Sequence, residues 1–202
     1  MTTQLTPTTE LQAVNTMLSV IGEAPVNSIS NTAELPVSAA NAVSILDETS
    51  KEVQSSGWHF NTEKEVSLTG SAADGKITLD ADILQVDHEG TDDIDLVQRG
   101  TSLFDRKNNT DVFTETIKVT VVKELLWDSL PEQARRYITL RAARSLQSRL
   151  VGSRELEALI LRDEFAAKAN LETSDNRNAD RTIFDNYDTY TRVGINRITS
   201  IF

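Results

Sequence analysis

The period of the hydrophobic pattern changes twice along this chain, and that double change restricts the fold more than any single residue does. Leu11, Val14, Leu18 and Ile21 recur at spacings of three and four, as one face of a helix requires. Thr8 or Thr9 can cap this segment, Glu10 suits its positive end, and Gly22 followed by Pro25 marks its stop. A second helical stripe follows Leu35-Pro36 through Ala39, Val43, Leu46 and Val53, with Ser50 filling the missing turn and Gly57 ending it. After Gly57 the pattern alternates. Val66 and Leu68, then Ile77, Leu79, Ala81 and Ile83, then Ile117, Val119 and Val121 each skip one position. Leu96-Val97 and Leu103-Phe104 flank Arg99-Gly100 as a short hairpin.

Helical spacing returns after Pro131, where Ala134, Ile138, Ala142, Leu146 and Leu150 form a ridge interleaved with arginines. That ridge drifts around its cylinder, so the helix should touch neighbours on more than one side. Gly152 breaks it, and Ser153 can cap a fourth helix carrying Leu156, Ile160, Ala167 and Leu171, with Glu164 interrupting the stripe. From about Thr173 the period dissolves.

The expected fold is therefore α+β. Residues 1–57 and 124–181 form a four-helix bundle-like part, and 58–123 an inserted antiparallel meander of about five strands. Residues 182–202 form an extended C-terminal arm. This arm carries Ile183, Phe184, Tyr187, Tyr190, Ile195, Ile198, Ile201 and Phe202 with no useful helical period. Apolar content of that kind is costly to expose, so the arm is expected to order against a partner.

Charge narrows the function. Asp and Glu number 31 against 20 Lys and Arg, a formal net charge of −11. A free-standing nucleic-acid grip shows the reverse balance, because phosphate neutralisation needs clustered cations. There are 2 histidines and 0 cysteines, which excludes disulfides, thiolate metal sites and a multi-histidine metal site within one chain. No apolar run is long enough for a bilayer, and the N-terminus lacks the pattern of a secretory signal, so a soluble chain made in a cytoplasm and without membrane contact is expected.

The chemical motifs are weak. Gly70-Ser71-Ala72-Ala73-Asp74-Gly75-Lys76 matches the glycines and lysine of a P-loop, but Ile77 stands where a hydroxyl must hold magnesium. A hairpin turn is the better reading. Asp87, Glu89, Asp92, Asp93 and Asp95 lack the spacing of a calcium loop. Glu63 with Glu65, or Asp80 with Asp82, could be offered as a glycosidase pair, although surface strands carry such pairs routinely. His59 lies between two aromatics and reads as a packed residue. No catalytic residue, cofactor or metal ligand is assigned. Trp58 and Phe60, just after the Gly57 stop, read as large structural anchors, as Gly22 and Gly57 do as helix stops. Arg141, Arg144 and Arg149 suit salt bridges to neighbouring subunits.

Several runs together resemble the tail tubular protein A family of T7-like short-tailed bacteriophages. They are Glu10-Leu11, Ala13-Val14-Asn15, Leu18, Ile21-Gly22-Glu23 and Pro25-Val26, then Ala40, Ala42, Ile45 and Leu46. The most specific is Gln54-Ser55-Ser56-Gly57-Trp58-His59-Phe60-Asn61. Pro131-Glu132, the run from Ala143-Arg144-Ser145 to Arg149, Gly152 and Glu155 are similar too. The likeness is strong over 10–61, fair over 131–170, weak through the strands and absent in the arm. It implies a structural virion protein rather than an enzyme: a dodecameric homo-oligomeric ring between the portal protein and the tail nozzle, tail tubular protein B. Tail fibres are further candidate partners, and DNA would pass through the lumen without specific binding. The implied location is the virion tail, with the host cytoplasm during assembly. The alternative from another class is a tail-associated hydrolase of peptidoglycan or capsule glycans.

Overall fold

The computed structural model describes residues 7–88 and 94–179. The expected C-terminal arm, and Glu89, Asp92 and Asp93 of the acidic loop, lie outside the described residues.

Four helices build the larger part: α1 (Glu10–Val20), α2 (Val37–Gln54), α3 (Glu132–Leu150) and α4 (Arg154–Asn178). Thr9 caps α1 in a reciprocal box with Gln12, so two otherwise orphaned backbone N–H groups are satisfied. Gly22 and Gly57 follow α1 and α2 with φ of +78° and +73°, the left-handed turn that a side chain resists. α3 is central and packs against α1, α2 and α4, which explains why its ridge drifts. Ala13, Met17, Leu46, Ile138, Leu146 and Leu171 are among the buried residues of this core. On α2 the gap in the stripe is filled by buried Thr49 rather than by Ser50, which is only half-buried. The α4 helix runs on to Asn178, beyond the point near Thr173 where the hydrophobic period dissolves. Its last turn is held from outside, because Asp175 Oδ1 accepts a 2.7 Å hydrogen bond from the His59 backbone.

The region between α2 and α3 holds β1 (Thr62–Leu68), β2 (Ile83–His88), β3 (Leu96–Arg99), β4 (Ser102–Asp105) and β5 (Ile117–Lys123). The expected meander needs correction. One antiparallel sheet has the order β1-β5-β2, and β3 and β4 pair separately as the predicted hairpin. The last strand lies between the first two and is the most buried of the three. Ile117, Val119 and Val121 fill one core, and Val122 is buried on the opposite face. The stretch 77–80 alternates as a strand should, and Ile77 and Leu79 are buried. Its backbone nevertheless makes only scattered bonds, Leu79 N to Thr101 O at 2.7 Å and Leu103 N to Ile77 O at 3.3 Å, so no continuous ladder forms.

Candidate assembly surfaces and the junction of two cores

The helical and sheet cores meet where α2 ends and β1 begins. Trp58 and Phe60 stack with ring centroids 6.5 Å apart, and Trp58 Nε1 donates to Val53 O at 2.7 Å. Both rings stay half-buried against the helical core. The fully enclosed groups are the two amides that flank them. Gln54 Nε2 donates to Leu125 O at 3.1 Å, and its Oε1 accepts from Leu125 N at 2.7 Å. Asn61 Nδ2 donates to Gln54 O at 2.9 Å and Lys123 O at 2.8 Å, while its Oδ1 accepts from Trp58 N. These bonds tie the end of α2 to the exit of β5, far away in sequence. Sequence reasoning quoted Gln54 and Asn61 only as the ends of a familiar run and gave them no role.

The arginines expected at subunit contacts find partners within the chain. Arg141 reaches Glu52 of α2 and Tyr137 Oη, Arg149 reaches Glu48 at 3.2 Å, and Arg144 binds Glu164 of α4 at 2.5 Å. They line a polar cleft between α2 and α3 with Thr49, Ser145 and Ser148. Glu164 is buried, so the interruption in the α4 stripe is a paired charge inside the packing. The hydrogen bond and charge of Glu164 hold the Arg144 guanidinium above its ordinary range, against the opposing effect of burial. Arg135, also missed, is buried and donates to the carbonyls of Leu130, Asp128 and Thr8, which pins the residues before α1 to the start of α3.

The P-loop-like run and the Glu63–Glu65 pair take structural roles. A Cβ on Gly70 would lie 2.4 Å from Gly75 O and 2.5 Å from Phe113 O, so close backbone approach explains the glycine in the P-loop-like run. Lys76 pairs with Asp111 at 2.6 Å. Glu63 and Glu65 each pair with a lysine of β5, Lys123 at 2.8 Å and Lys118 at 3.4 Å. Among the described residues no group of three or more His, Asp or Glu side chains is placed to hold a metal ion. No described helix is long and apolar enough to cross a membrane.

The surface also carries exposed apolar side chains. On α4, Phe165 and Leu159 are each 64% exposed and Leu161 is 37% exposed. Val37 protrudes at the start of α2, and Leu126 in the segment that follows β5. Such residues offer contact area rather than chemistry.

Comparison with known proteins agrees with that architecture. A family model described as tail tubular protein matches residues 11–181. Tail tubular protein A of Klebsiella phage KP34 is 34% identical over 130 residues, covering 64% of this chain and 66% of that protein. With a family match that runs through the bundle and the strands it encloses, the chain belongs to the tail tubular proteins, structural components of bacteriophage tails.

Proposed function

We propose that this tail protein is a ring-forming adaptor that joins the portal to the tail nozzle and lines the channel through which DNA leaves the capsid. The family match over 11–181 carries the reading. The pairing of Glu63, Glu65, Lys76 and Glu164 with partners inside the chain supports it, because these side chains are engaged in holding the fold. The copies form a closed ring, for which the family resemblance implies twelve, with portal and nozzle proteins on its two faces and tail fibres as further partners. Assembly takes place in the host cytoplasm. A chain with net charge −11, repeated around a lumen, repels DNA and lets it slide.

Within each copy, residues 1–57 with 124–181 form one packing unit, 58–123 a second, and 182–202 an arm that makes contacts between chains. The stacked pair Trp58 and Phe60 holds the first two units together. The particle mass of the purified chain, measured alone and with portal protein, tests the adaptor reading. A discrete multimer bound to portal is expected. A chain that stays monomeric and ignores portal would overturn it.

A further inference from the structure

The α4 helix carries two apolar faces, and only one of them is packed among the described residues. Ile160, Glu164, Ala167 and Leu171 point inward. Ala158, Leu161, Phe165 and Ala169 recur at spacings of three and four on the opposite side, where all are exposed. Phe165 stands between Leu161 and Ala169 on this stripe, and the small Ala158 and Ala169 keep its two ends shallow, a shape that admits a chain lying along the helix. The stripe from Ala158 to Ala169 is about 17 Å long at ~1.5 Å per residue.

The sequence that follows α4 is suited to cover it. Ile183, Phe184, Tyr187 and Tyr190 lie within the next stretch. Residues 182–202 can span up to about 70 Å at ~3.3 Å per residue, several times the length of the stripe. The C-cap Ala179 has φ −78° and ψ −2°, a right-handed conformation and not the left-handed turn that reverses a chain.

We propose that the outward stripe of α4 is the seat for residues 182–202 of a second copy of this chain. This rests on the ring reading and adds the contact that builds it. An arm passed to the next copy's helix is a head-to-tail contact, and repetition of such contacts closes into a ring. The aromatic side chains of the arm supply the anchors that such interfaces use.

The test places the photoreactive residue p-benzoylphenylalanine at position 165 of the full chain and mixes it with an isotopically heavy wild-type chain. Irradiation should join position 165 of the light chain to residues 182–202 of the heavy chain. Joining within one chain, joining to another surface of the second copy, or no joining in a sample that multimerises would overturn the inference while leaving the ring reading intact. Phe165→Asp and the arm variant Phe184→Asp/Tyr187→Asp should each raise the concentration needed for multimers at least tenfold, with unchanged helical circular dichroism. Unchanged assembly by both variants would also overturn it. A wild-type chain that forms no multimer, with or without portal, removes both the inference and the ring reading.

Discussion

Trp58 donates its indole N–H to Val53 and stacks on Phe60, so its loss removes a hydrogen bond, a ring contact and apolar area together. Trp58→Ala should cost about 3 kcal/mol, the low end for a large aromatic because the ring is only half-buried. A urea midpoint equal to wild type would contradict that. Asp105 gives a pH prediction. Burial pushes its carboxyl up, but the Asn108 side chain and the backbone N–H groups of Asn108, Asp95 and Lys107 outweigh this and hold it below the ordinary range. A depressed folded value means stability that is present above the unfolded value of about 3.9 and lost as pH falls through the folded value. Asp105→Asn should therefore lower the urea midpoint at neutral pH, and the gap to wild type should shrink below about pH 4. A gap constant with pH would count against the network. The aromatic pair was legible in the sequence because large side chains after a glycine stop are conspicuous. Gln54, Asn61 and Arg135 were not, since a buried polar side chain has no periodic signature and its partners lie on distant segments.

Elements follow the same division. The helices were legible because burial on one face imposes a spacing, and their starts and stops are marked by Thr9, Ser153, Gly22 and Gly57. Strand order was not, because alternation specifies which face is buried and says nothing about which strand lies alongside. That is how β5 comes to separate β1 from β2. Glu164 looked like a flaw in the α4 stripe until Arg144 was found opposite it. Removing one member of a buried pair leaves the other charge stranded, so Arg144→Ala should destabilise by roughly 3 kcal/mol. The joint replacement Arg144→Met/Glu164→Leu should recover most of that loss. Thermal unfolding of the two variants checks it, and an Arg144→Ala chain as stable as wild type would show that the pair contributes nothing to packing.

At the scale of the whole molecule, two cores joined by the hydrogen bonds of Gln54 and Asn61 leave exposed apolar side chains on the surface of a chain with net charge −11. Such a surface suits assembly. The purified chain should fail to retard duplex DNA on a gel even at low salt, and tight binding that weakens with salt would mean that the cationic side chains grip DNA. The central claim is that copies of this chain form a collar between portal and nozzle. Electron microscopy of the chain mixed with both proteins tests it most directly. A closed ring with an open centre, coaxial with the portal and lying between it and the nozzle, is expected. Portal and nozzle that join without the chain, or a chain that decorates them singly without closing a ring, would contradict it.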